Sequence, residues 1–157
     1  MGKYNNIITK RTTDDGRVRK FRSKLECRWS IYLDFLLGAG EIQRWEYEPC
    51  FFDFPIRHGI TRYMPDFYVV EKDGSITWHE CKGRLDSKSM TKLRRFAKYY
   101  PDEKLWLIFD GLPRANTFSL WAIKQRVAID KIEPLVERVV DASVIFRQIG
   151  IKKRLNE

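Results

Sequence analysis

The chain has 157 residues, 43% of them hydrophobic and 14% aromatic, enough for one domain with a real core and too apolar for a chain that is mainly disordered. Lys and Arg number 30 against 21 Asp and Glu, a formal net charge of +9 that points to a polyanionic partner such as nucleic acid. Cys27, Cys50 and Cys81 are too few and too scattered for a disulfide framework or a Cys-x-x-Cys zinc site, and indicate a reducing, intracellular compartment; no apolar run is long enough for a membrane span, and the first residues lack the apolar stretch of a signal peptide.

Residues 1–22 read as a polar, turn-rich N-terminal arm, with Asp14-Asp15-Gly16 as a tight turn and a basic cluster of Arg17, Arg19, Lys20, Arg22 and Lys24. Such an arm either frays into solvent or lies on phosphates. A single domain is expected over 23–150. It opens with a helix from Ser23 to Gly38, in which Ser23 and Glu26 form a capping box and Leu25, Trp29, Tyr32, Leu33, Leu36 and Leu37 recur at helical spacing. Glu26 is then the cap's N3 partner, or a carboxylate presented at the start of a helix. Glu41 to Phe54 alternates loosely and predicts one or two short strands, with its aromatics in the core. Pro55 to Thr61 is a loop, and His58 there is an ordinary solvated histidine or a group near phosphate.

Tyr63 to Val70 and Ile76 to Lys82 predict a β-hairpin around an Asp-Gly turn at Lys72–Ser75. Ser87 then caps a helix to Tyr100, with Met90, Leu93, Ala97 and Tyr100 as its apolar stripe and Lys88, Lys92, Arg94, Arg95 and Lys98 on the other side. Lys104 to Phe109 is a strand apolar on both faces, so the strand–helix–strand order predicts a parallel crossover. Asn116-Thr117 caps a further helix to about Ala128, with Phe118, Trp121, Ala122 and Val127 facing inward. Ile132 to Phe146 is expected to hold one more helix, entered through Pro134, and 151–157 form a basic tail.

The chemistry concentrates in the hairpin. Glu80 and Lys82 are two residues apart on one strand, so both point to one face while His79 and Cys81 point to the other. Pairing around the turn brings Asp66, beside Pro65, to the same end. Two carboxylates and an ammonium on rigid strands are either a solvated ion-pair cluster or a divalent-metal site. Hard carboxylate oxygens suit Mg²⁺, which keeps waters and binds phosphate. The ion lowers the pKa of a bound water and neutralises charge in phosphodiester hydrolysis, while a neighbouring Lys orients that water.

Pro65-Asp66…Glu80-Cys81-Lys82 resembles the signature of the PD-(D/E)XK nuclease superfamily. The branch it is most similar to is the phage endonuclease I type of Holliday-junction-resolving enzymes. The likeness lies in Phe21-Arg22-Ser23-Lys24-Leu25-Glu26, in Tyr47-Glu48 and the aromatic strand after it, in Tyr63-Met64-Pro65-Asp66-Phe67, and in Glu80-Cys81-Lys82-Gly83. It covers roughly Phe21 to Phe109. The resemblance implies an α/β fold with a restriction-endonuclease-like core, a central mixed β-sheet flanked by helices. It implies Glu26, Asp66, Glu80 and Lys82 as catalytic residues, with the first three and the Cys81 main-chain carbonyl around Mg²⁺, for which Mn²⁺ can substitute. It also implies a homodimer acting on branched DNA inside a cell, and a virus-encoded chain acting in its host is the matching expectation for origin. Arg17, Arg19, Lys20, Arg22, Lys24, Arg84, Lys88 and Lys92 are the expected DNA contacts. A sequence-specific or DNA-end-cutting nuclease of homing, restriction or transposition type keeps the same chemistry. A non-catalytic DNA-binding module is the remaining alternative.

Overall fold

The computed structural model describes residues 8–152; Lys153 and Arg154 of the expected tail and the first seven residues of the arm lie outside them. The remainder of the arm is a β-hairpin, β1 (Thr9–Thr12) antiparallel to β2 (Val18–Phe21), closed at Gly16 with φ 79°. Arg11 pairs with the buried Asp34 carboxylate and Phe21 is fully buried, so this hairpin is sewn to the domain rather than frayed. Its alternation is masked in sequence because charged Arg11 and Arg19 occupy the less exposed side while apolar Val18 faces outward.

Helix α1 (Lys24–Gly38) begins at Ser23, whose Oγ accepts the Glu26 N–H at 3.1 Å. Strand β3 (Ile42–Tyr47) follows, then a two-stranded sheet of β4 (Phe52–Asp53) and β5 (Arg62–Tyr63). The expected hairpin is β6 (Phe67–Glu71) and β7 (Ile76–Lys82), turning through Gly74 at φ 84°. Helix α2 (Ser87–Tyr99), strand β8 (Leu105–Phe109), helix α3 (Leu120–Ile132), a 3₁₀ turn (Glu133–Leu135), strand β9 (Arg138–Asp141) and helix α4 (Ala142–Gln148) complete the order.

The fold is α/β: a five-stranded mixed sheet in the order β3-β6-β7-β8-β9, flanked by helices. β3, β6 and β7 are antiparallel neighbours, while β7, β8 and β9 run parallel through the α2 and α3 crossovers. Period-two alternation splits the core between the two faces. Phe67, Val69, Cys81 and Ile108 pack under α1 and α4 with Trp29 and Phe146. Trp78, Leu105, Leu107 and Phe109 pack under α2 with Met90, Leu93 and Phe96. Burying side chains as large as Trp29, Phe67 and Phe96 contributes roughly 2–3 kcal/mol each. His79 lies on the α1 face, buried against Trp29 and stacked on Trp106 at 4.7 Å.

Three expectations need correction. α2 is capped by Asp86, not Ser87, because the Asp86 carboxylate accepts the Ser89 N–H at 2.8 Å. α3 begins after Ser119, and of the four residues expected to face inward only Ala122 is buried; Phe118, Trp121 and Val127 are exposed. Between Ile132 and Phe146 the chain does not stay helical. Pro134 falls where α3 is ending, and the β-branched pair Val139-Val140 forms the edge strand β9 before α4 begins. No helix among the described residues is long and apolar enough to cross a membrane.

Candidate active site

Four elements meet at one end of the sheet around a cavity of about 710 Å³, whose wall includes Glu26, Glu48, Asp66, Glu80, Cys81 and Lys82. Each arrives by a simple local rule. Glu26 is the third residue of α1, turned toward the sheet by the Ser23 cap. Asp66 stands immediately before β6, where Pro65 cannot extend the ladder. Its carboxylate accepts the Cys81 N–H at 2.8 Å across the hairpin, fixing it beside the Glu80–Lys82 end of β7. Glu80 and Lys82 share a face with Trp78, as alternation requires.

The carboxylates are held by protein donors. Glu80 receives the Lys82 ammonium at 2.7 Å on one oxygen and the buried Tyr63 hydroxyl at 2.8 Å on the other. Glu26 accepts from Ser23 Oγ at 2.9 Å, from the Tyr47 hydroxyl, and from the Arg22 N–H at 3.1 Å. The reciprocal arm of the expected capping box thus reaches the residue before the cap. Glu26 therefore caps the helix and also faces the cavity.

Electrostatically this is a crowded acidic pocket. Burial, then repulsion from Glu80 and Glu26, pushes the Asp66 carboxyl well above the usual range. Burial also raises the Cys81 thiol, assisted by the same carboxylates. Burial alone would lower Lys82, but the Glu80 carboxylate and its hydrogen bond overturn that and raise it, so Lys82 stays a cation at neutral pH. It stands in the cavity as a fixed positive charge, not a free base.

Glu48 is a cavity residue that the sequence reading matched only as part of a segment. It follows β3 in the left-handed region at φ 47°, the one non-glycine residue with positive φ among those described. Its N–H donates to the Asp66 carbonyl at 2.8 Å, and its carboxylate pairs with Arg22 at 2.9 Å. Burial and the neighbouring Glu26 raise its pKa against the pull of Arg22. Strained backbone at a functional cavity is common, but no sequence rule marks a Glu for this conformation.

Of the expected DNA contacts, Arg22, Lys24, Arg84 and Lys92 line the cavity. Arg17, Arg19 and Lys20 stand on the β1–β2 hairpin, where Arg19 pairs with Asp15 at 2.9 Å and lies over Trp45. Lys88 lies in the first turn of α2, outside the cavity wall. Among the described residues, no three His, Cys, Asp or Glu side chains form a ready-made metal-binding group. The donor set is nevertheless of the right kind, because the carboxylates of Glu26, Asp66 and Glu80 line one cavity and hard oxygen donors suit Mg²⁺.

Residues 1–113 match the family described as Protein of unknown function (DUF1064). The chain belongs to this family. No curated protein and no solved structure matches it. The DUF1064 match contains every candidate acid together with Lys82, and it ends before α3.

Proposed function

We propose that this DUF1064 chain is a Mg²⁺-dependent endodeoxyribonuclease selective for branched DNA, of the kind its sequence resembles. The observation that carries the reading is the convergence of Glu26 from α1, Asp66 from before β6, and Glu80 and Lys82 from β7 on one cavity edged by Arg22, Lys24, Arg84 and Lys92. A merely solvated ion-pair cluster would not be sunk into a pocket where burial and mutual repulsion raise Asp66 and Glu48. A phosphate-binding module would not place four carboxylates where the phosphate must come, because their repulsion needs a cation to offset it.

Asp66 and Glu80, with Glu26 and the Cys81 carbonyl, are the residues that would hold Mg²⁺, with Mn²⁺ as a substitute. When bound, the ion would supply Lewis-acid neutralisation of phosphate charge and lower the pKa of a water. The protein's own part is positioning. Tyr63 fixes one oxygen of Glu80 and Tyr47 one oxygen of Glu26. Lys82, kept protonated, orients a water or steadies developing charge beside Glu80. The cavity-edge cations hold the flanking phosphates.

Cleavage of an end-labelled four-way junction, beside a linear duplex of the same arm sequence, tests the reading. Nicks near the branch that require Mg²⁺ and are absent from the duplex are expected. Cutting of the duplex at one defined site would overturn branch selectivity, and no cutting of either would overturn the nuclease assignment.

A further inference from the structure

Glu48 stands apart from the other acids of the cavity in how its charge is met. Glu80 and Glu26 each accept from side chains of two different residues, Lys82 and Tyr63 for the first, Ser23 and Tyr47 for the second. Both Glu48 oxygens are instead served by one guanidinium, with Arg22 Nε at 2.9 Å from Oε1 and Nη2 donating to Oε2 at 3.3 Å. The two partners differ sharply in exposure, 66% for the Arg22 side chain and 19% for that of Glu48. The carboxylate thus belongs to the cavity and the guanidinium to its mouth. Both backbones are pinned independently of this fork. The Arg22 N–H donates to Glu26 at 3.1 Å and to the Tyr47 hydroxyl at 3.3 Å, and the Glu48 N–H donates to the Asp66 carbonyl at 2.8 Å. The Arg22 side chain can therefore swing away without unseating Glu26 or Asp66.

We propose that Glu48 is a further cation-holding residue of the cavity, covered by Arg22 in the free chain and uncovered when Arg22 turns to a DNA phosphate. The proposal rests on the reading of the cavity as a metal-dependent nuclease site and adds to it a link between substrate and cation. A guanidinium fork fits two phosphate oxygens as well as it fits a carboxylate, and Arg22 already stands exposed at the cavity edge. Neither half of the exchange is favourable alone. If Arg22 leaves with no cation in the cavity, Glu48 is left unneutralised in a pocket it shares with Glu26, Asp66 and Glu80. If Arg22 stays, its charge occupies Glu48 and repels a second cation. With phosphate outside and a cation inside, each charge finds a partner, so the two binding events favour one another by the same factor.

A plain surface ion pair accounts for less of this geometry. In Arg44–Glu46 and Arg62–Asp53 both partners are at least 47% exposed, and water replaces either partner at little cost. The Glu48 carboxylate is largely out of water, so loss of its partner leaves a charge that something must meet. Its backbone also adopts φ 47°, a conformation that residues other than glycine rarely take and that an exposed ion pair does not require. The left-handed turn brings the Glu48 N–H onto the Asp66 carbonyl and its carboxylate to the wall that Asp66 shares.

The test is calorimetric titration of Ca²⁺, a hard divalent ion that takes the same oxygen donors, into the full chain alone and into the chain saturated with a four-way junction, against a DNA blank. No cleavage is read, so the result is separate from the fate of the proposed chemistry. In wild type the junction is expected to tighten Ca²⁺ binding by roughly tenfold. Glu48→Gln is expected to leave the free chain within about twofold of wild type and to remove most of that tightening. Arg22→Gln is expected to raise the Ca²⁺ affinity of the free chain, and by more than Lys24→Gln, which removes a charge from the same cavity edge but not the partner of Glu48. The two substitutions probe the pair from opposite sides, so either one, shown to be folded by circular dichroism, decides the matter. Equal weakening by Glu48→Gln with and without DNA would overturn the proposal, because Glu48 would then be uncovered throughout. So would a Glu48→Gln chain unchanged in both states, or equal effects of Arg22→Gln and Lys24→Gln. A wild type that binds no Ca²⁺ or no junction would overturn the nuclease reading together with the proposal.

Discussion

Replacing Asp66 with Asn should make the fold more stable while destroying activity. The Asp66 carboxylate sits where burial, Glu80 and Glu26 all disfavour its charge. Its folded pKa is therefore above the unfolded value, and the ionised form is a cost at neutral pH. Each unit of that elevation is worth about 1.4 kcal/mol. Asn keeps an acceptor for the Cys81 N–H at 2.8 Å. Exchanging a charged for a neutral acceptor there gives back about 1 kcal/mol. The relief of the unfavourable charge therefore outweighs the weaker acceptor and leaves a net gain, each kcal/mol of which is worth about 2–4 °C in melting temperature for a domain of this size. The sign with pH follows from the same shift. The cost is absent below the unfolded pKa near 3.8, grows as pH rises toward the folded pKa, and is constant above it. The advantage of Asp66→Asn should be gone near pH 3.8 and grow as pH rises from there toward neutrality. Thermal melts in EDTA across this range measure it. Mg²⁺ should raise the melting temperature of wild type and leave the variant unmoved, because binding stabilises only the form that binds. A variant less stable than wild type at pH 7 in EDTA would refute the account of a charge-frustrated pocket.

Other expectations follow from the same contacts. His79 accepts the Trp29 indole N–H at 3.0 Å in a buried site that lowers its pKa to about 3 from 6.5. Stability should hold above pH 6.5 and fall by about 1.4 kcal/mol per unit as pH drops toward 3; urea titrations at pH 7 and 4.5 read this, and a His79→Gln variant should lose the component. Tyr63→Phe removes the hydroxyl that fixes Glu80. It should cost about 1–3 kcal/mol of stability and lower the cleavage rate with little change in DNA affinity, measured by single-turnover kinetics beside filter binding. Lys24→Ala and Lys92→Ala should each reduce the slope of log affinity against log salt by about 1, measured by fluorescence anisotropy on a labelled junction.

The hairpin, its turn and the face shared by Glu80 and Lys82 were legible because period two and an Asp-Gly turn are local properties. α1 was legible for the same reason, with Ser23 and Glu26 marking its start. The parallel β7–α2–β8 crossover could be read from the doubly apolar run before Phe109. β9 could not, since Pro134 is as good a helix opener as a helix stop, and only the open edge of β8 decides in favour of a strand. The inward face of α3 was misread because its strongest hydrophobic residues are turned outward, against the usual rule. In the site, Asp66 and Glu80 announced themselves by spacing. The cavity role of Glu48 depends on a left-handed residue after β3 and a backbone bond to Asp66, which are tertiary facts.

The most direct measurement is single-turnover cleavage of a labelled four-way junction by wild type and Glu80→Ala, in Mg²⁺, Mn²⁺ and EDTA, with binding recorded on the same samples. The account predicts nicks by wild type in either metal, none in EDTA, and none by Glu80→Ala despite retained binding. Tight binding by wild type with no cleavage in either metal, or cleavage that persists in Glu80→Ala, would contradict it.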